Sequence, residues 1–154
     1  MTRIIHATTQ AQYQSVRELF IQYADSLGFD LEFQDFSREL AELPGDYKSP
    51  AGCMLLAEAA DGYAGCVALR PLQDQICEMK RLFVIPEYQG CGIGRTLARA
   101  VIAEARKQGY QKMRLDTVES MKAAQGLYCS LGFKTIEAYC HNPLENPSFM
   151  ELEL

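Results

Sequence analysis

Residues 77–94 read CEMKRLFVIPEYQGCGIG, and the way this stretch changes character along its length decides the architecture. Its first half, residues 77–84, is an apolar strand interrupted by charge, and Pro86 ends it. Gln89, Gly90, Cys91, Gly92, Ile93 and Gly94 follow, and from Ile93 onward Leu97, Val101, Ile102 and Ala105 recur at helical spacing. A glycine-rich turn therefore joins a strand to a helix N-terminus. Unpaired amides and the positive end of the helix dipole attract a phosphate there. Glycines let the backbone approach an anion without Cβ atoms in the way, and Arg95 adds a cation. A glycine-rich connector with no ligand fits the spacing equally well.

Working outward, residues 3–7 read as a strand, followed by a helix opened by Thr9 and Gln12 as a capping box. Val16, Leu19, Phe20, Tyr23 and Leu27 form the core face of that helix, and Gly28 stops it. A short helix is expected over 35–43, ended by Pro44 and Gly45. Residues 53–60 and 63–69 form two strands joined across Asp61-Gly62 in a tight hairpin. After the glycine-loop helix, closed by Gly109, come a strand over 112–118 and a helix over 120–131 stopped by Gly132. Strands over 133–139 and 149–154 complete the chain. The order β-α-α-β-β-β-α-β-α-β-β has hairpins in the middle and crossovers around the later strands. It predicts an α/β fold with a mixed sheet flanked by about four helices.

Composition narrows the function. The 154 residues are 48% apolar and 23% charged, the balance of one globular domain spanning 1–154 with its own core. A net charge of -5 argues against a nucleic-acid partner and favours a neutral or cationic substrate. No apolar run approaches bilayer length and the first ten residues lack a signal layout, so a cytoplasmic protein with no membrane partner, monomeric or homodimeric, is expected. The six cysteines form no C-x-x-C pair and the two histidines lie far apart, which predicts buried thiols and no metal.

Other phosphate-binding patterns fail on the glycine loop. A dinucleotide fingerprint starting at Gly90 needs glycine or alanine where Arg95 stands, and the P-loop succession of glycine, lysine and hydroxyl residue is absent. Coenzyme A remains among the common pyrophosphate ligands. Gln89, Gly92 and Gly94 fit the pattern Q/R-x-x-G-x-G/A, and 123–133, AAQGLYCSLGF, places Tyr128 ahead of the pair Gly132-Phe133. In these two motifs, and in the order of its elements, the chain resembles the GNAT superfamily of N-acetyltransferases.

That resemblance implies an acetyl-CoA co-substrate, transfer of its acetyl group directly to an amine of a small molecule or peptide, and no metal. It implies that backbone groups of Leu82, Phe83 and Val84 pair with the pantetheine arm, while amides of Gln89, Gly90, Cys91, Gly92, Ile93, Gly94 and Arg95 hold the pyrophosphate. Many members carry an asparagine seven residues before the helix tyrosine; Met121 stands there in this chain.

Amine acetylation needs a proton removed from the acceptor ammonium and one delivered to the departing thiolate. Tyr128 is the candidate acid, since a phenol's pKa lies not far from a thiol's; a core tyrosine is the competing reading. Glu78 is the candidate base, because it interrupts an apolar strand, where burial would raise its pKa, and a salt bridge with nearby cations is the alternative. The strand's phase shifts between Met79 and Leu82, which predicts a bulge, although Phe83 does not fit the shifted pattern. Cys91 reads as a packed or oxidation-prone thiol, and His141-Asn142 as a turn before Pro143. Tyr47 either edges the acceptor site or packs at the surface. A non-catalytic acyl-CoA-binding regulatory module is the main alternative function.

Overall fold

The computed structural model describes residues 2–28, 30–118, 121–144 and 146–154. Its elements follow the predicted order: β1 (Arg3–His6), α1 (Gln10–Leu27), α2 (Phe36–Glu42), β2 (Cys53–Ala59), β3 (Gly62–Gln73), β4 (Ile76–Val84), α3 (Ile93–Lys107), β5 (Lys112–Val118), α4 (Lys122–Ser130), β6 (Lys134–Ile136) and β7 (Pro147–Glu153). The strands make one mixed sheet in the order β1-β2-β3-β4-β5-β7-β6. Among the described strands only β4 and β5 pair in parallel, and α3 is the crossover that makes this possible.

Local chemistry accounts for the boundaries. Thr9 and Gln12 cap α1 reciprocally, and Gly28 ends it at φ 74. The first hairpin turns one residue earlier than expected: Ala59 pairs with Gly62, leaving Ala60 and Asp61 at the tip. β3 extends to Gln73, because a second hairpin follows at once with Gln75 at φ 61. The strand expected over 133–139 shortens to β6. Residues 137–139 leave the sheet, and the Tyr139 hydroxyl turns inward to Glu78. Ser120, where the last helix was expected to begin, lies outside the described residues, and α4 starts at Lys122.

Strand alternation sends each set of side chains to its own layer. Cys53, Leu55, Val67, Leu69, Cys77, Met79, Met113 and Leu115 pack against α3 through Leu97, Val101 and Ile102. Met54, Leu56, Cys66 and Ala68 pack on the opposite face against Val16, Leu19 and Phe20 of α1.

The bulge expected in β4 is present. Cys66 pairs with Phe83 and Ala68 with Lys80, so one residue of β3 faces Arg81 and Leu82 together, and Arg81 takes φ 61. The extra residue puts Lys80 and Arg81 in succession on the α1 face, where both reach Gln34. Leu82 then returns to the α3 face and Phe83 to the α1 face. Phe83 thus fits the pattern once the bulge is counted.

Candidate active site

β4 and β5 are in register only from Ile76 to Glu78 against Lys112 to Arg114. Beyond that point β4 stays paired with β3 on its other edge, up to Val84 opposite Gly65. The two parallel strands part, and a cavity opens between them, lined by Met79 to Leu82 from β4 and Leu115 to Val118 from β5. A Cβ on Gly65 would run into the carbonyl of Phe83, so glycine there permits the close approach of β3 that holds the splayed end of β4.

The glycine loop follows the end of β4 and leads into α3, and none of its residues lines the cavity. Gly90 and Gly92 both take φ 82, a left-handed conformation suited to glycine, and a Cβ on either would meet nothing within 4 Å. The loop backbone is therefore open to a ligand. Gln89 folds back, its Nε2 donating to the Val84 carbonyl at 2.9 Å, which ties the loop to the end of β4. Ile93 is buried as the first residue of α3, whereas Cys91 and Arg95 are exposed.

Tyr128 and Met121 come from the α4 region and line the cavity wall. The Tyr128 ring packs on Phe133 with centroids 5.7 Å apart, so the side chain belongs to the core and to the cavity at once. Burial, reinforced by Tyr23 and Asp116, raises its pKa well above the ordinary phenol value, so the hydroxyl holds its proton and the near match to a thiol expected from an ordinary phenol is not present. The Thr117 hydroxyl is buried on β5, lines the same cavity and has no hydrogen-bond partner among the described residues.

Glu78 corrects one expectation. It is buried beneath the cavity and does not line it. Arg70 meets Oε1 through Nε at 2.8 Å and Nη2 at 2.7 Å, and the Tyr139 hydroxyl donates to Oε2 at 2.6 Å. Burial alone would raise this carboxyl's pKa, but the charges of Lys80 and Arg70 and the two hydrogen-bond partners outweigh it, leaving the pKa below the usual glutamate range. Glu78 is an ionised member of a salt bridge.

The α1 side of the cavity carries residues that strand and helix patterns did not single out. Arg81 is clamped by Glu39 of α2 at 2.9 and 2.8 Å, with Tyr23 and Phe36 rings 5.8 and 5.2 Å from its guanidinium carbon. Burial opposes that charge and Glu39 outweighs it, so the pKa rises. Lys80 donates to Gln34 Oε1 at 2.9 Å and stands 4.0 Å from Asp116. Asn142 Nδ2 donates to the other Asp116 oxygen at 3.1 Å, so the segment expected to be a plain turn borders the cavity. Tyr47 is buried against Phe20 and not at the surface. One signal was available in sequence: two adjacent cations within an apolar strand need buried partners.

Comparison with known proteins agrees with this geometry. An uncharacterized N-acetyltransferase of Schizosaccharomyces pombe is 44% identical over 135 residues, covering 86% of this chain and 83% of that protein. A GNAT-family acetyltransferase structure from Staphylococcus aureus Mu50 superposes with a TM-score of 0.82 at 21% identity, covering 99% of both chains. A GNAT acetyltransferase from Elizabethkingia anophelis, solved with acetyl-CoA bound, superposes with a TM-score of 0.70 at 24% identity, covering 99% of this chain and 98% of that one. No described helix is long and apolar enough to cross a membrane. The Acetyltransferase (GNAT) family profile matches residues 13–133, and with the splayed strands, glycine loop and tyrosine-lined cavity in place, the chain belongs to that family.

Proposed function

We propose that this chain is an N-acetyltransferase that takes acetyl-CoA as co-substrate and acetylates a primary amine by direct transfer. The observation that carries this reading is the parting of β4 and β5 around a cavity with Tyr128 on its wall, together with the open glycine loop that follows the end of β4. Acetyl-CoA supplies an activated thioester. The residues present fit it: the edge of β4 past Glu78 has no β5 partner in register, and Thr117 holds a buried hydroxyl in search of one. Backbone of Leu82 to Val84 flanks the pantetheine arm in this reading, and the amides from Gln89 to Arg95 meet the pyrophosphate at the start of α3.

The acceptor ammonium first loses a proton to solvent. Its nitrogen then bonds to the acetyl carbonyl carbon, the carbon–sulfur bond breaks, and Tyr128 gives its proton to the leaving thiolate. The new amide nitrogen sheds its remaining extra proton, and Tyr128 is reprotonated, so each turnover yields one N-acetyl product, one free thiol and one released proton. Glu78, with both oxygens engaged, serves here as a positioning residue that fixes Arg70 and Tyr139 under the cavity.

Thermal unfolding with and without acetyl-CoA tests the cofactor half of this reading. Saturating acetyl-CoA, at about a hundred times its Kd, adds roughly 2.7 kcal/mol of stability and raises the Tm by several degrees. NADH does not. Gly92→Val forces a branched side chain into the left-handed conformation at the loop and removes the acetyl-CoA effect. A shift with NADH and none with acetyl-CoA would overturn the assignment.

A further inference from the structure

The buried charged groups on the α1 face of the sheet divide into saturated and unsaturated pairs. Arg81 is held bidentately by Glu39 and also donates to Gln34 at 2.8 Å. Glu78 is engaged by Arg70 and Tyr139. Lys80 and Asp116 differ from both. Their side chains are only 6% and 8% exposed, yet they stand 4.0 Å apart, beyond the 2.7–2.9 Å of a charge-assisted hydrogen bond, and both line the cavity. Each has one neutral partner, Gln34 for the ammonium and Asn142 for the carboxylate.

Burying two opposite charges without bringing them into contact is costly for a structural salt bridge, because the desolvation is incurred while much of the mutual attraction is forgone. It suits a site that receives a molecule carrying the complementary pair. We propose, on the reading that this cavity performs N-acetyl transfer, that the acceptor is a free α-amino acid with an apolar side chain, its carboxylate received by Lys80 and its ammonium by Asp116. The bulge in β4 makes this possible, since without the extra residue Lys80 and Arg81 would point to opposite faces. Arg81 is committed to the Glu39 carboxylate, whereas Lys80 has Gln34, a neutral partner shared with Arg81, and lines the cavity. Leu27, Leu31 and Leu144 line the same cavity and receive the apolar substituent. Burial, with Arg81 beside it, lowers the Lys80 pKa, and an incoming carboxylate offsets that penalty.

The test uses the full chain with acetyl-CoA and compares leucine, methionine and phenylalanine with their carboxamides, and leucine with 3-methylbutylamine, its decarboxylated form. The expected result is a kcat/KM for the free amino acids on the order of a hundredfold above that of the carboxamides or the amine, because a site built around a charged partner rejects the analogue lacking it. Lys80→Gln brings that ratio close to one. If the variant does not fold, the wild-type ratio alone decides. Carboxamides or 3-methylbutylamine turned over as well as the free acids would overturn the amino-acid assignment while leaving N-acetyl transfer intact. Calorimetry with CoA-loaded protein separates the remaining cases: carboxylate-dependent binding of leucine without any transfer keeps the site and removes the transfer reading, and neither binding nor transfer removes both.

Discussion

The two faces of the sheet solve different problems. On the α3 face the strands present Leu55, Val67, Leu69, Met79 and Leu115 to a helix of matching apolar residues. On the α1 face the same strands carry Arg70, Glu78, Lys80, Arg81 and Asp116, most of them deeply buried. The first face is assembled by area, with a fully buried aliphatic side chain stabilising by roughly 1.5–3 kcal/mol. The second is assembled by pairing, with Arg81 on Glu39 and Glu78 on Arg70, while Lys80 and Asp116 hold only neutral partners within hydrogen-bond distance. A co-substrate gripped by backbone at the rim needs no charged side chains from the sheet, whereas selecting one amine among many does. On the proposed reading, the buried charge lies on the side where the acceptor is selected.

If this division is right, the largest effect comes from the residue at the junction. Tyr128→Phe removes one oxygen and leaves the packing on Phe133, so acetyl-CoA still raises the Tm while turnover falls by roughly tenfold to a thousandfold, the range for a lost proton donor. Unchanged turnover would return Tyr128 to the apolar face.

A smaller effect sharpens the other face. Glu78→Gln keeps shape and hydrogen-bonding capacity but leaves Arg70 without its charge partner, and costs roughly 1–3 kcal/mol at pH 7. The folded carboxyl titrates below the ordinary glutamate value of about 4.3, so its stabilisation is fully present above that value and is lost as pH falls through the lower folded one. Thermal unfolding from pH 7 down to acid therefore shows the gap between wild type and variant narrowing. On the proposed role for Glu78, which positions and does not take the proton, the pH–rate profiles of the two run parallel. Rate lost at neutral pH and regained at high pH would restore Glu78 as the base.

The α3 face and the glycine loop could be read from sequence because their signals are periodic or local. Ile93, Leu97, Val101, Ile102 and Ala105 mark a helix stripe by spacing alone, and Gly90 and Gly92 mark a loop by composition. Even the bulge left a trace in the shifted phase around Leu82. The charged side of the cavity left little. Lys80, Asp116, Gln34 and Asn142 come from four separate segments, and nothing in one dimension brings them together. The direction of the Glu78 pKa was misjudged for the same reason. Burial could be anticipated from its apolar neighbours, but Arg70 eight residues earlier and Tyr139 across the molecule could not.

The central claim is that this cavity moves an acetyl group from acetyl-CoA to an amine. Its most direct measurement follows free-thiol release from acetyl-CoA in the presence of amine acceptors, with mass spectrometry of the acceptor in the same reaction. Thiol release then requires an amine and is matched one for one by a product about 42 Da heavier, the mass of an acetyl group replacing a hydrogen. Stabilisation by acetyl-CoA with no acetylated product from any amine would contradict it and identify a protein that binds the co-substrate without catalysing its transfer.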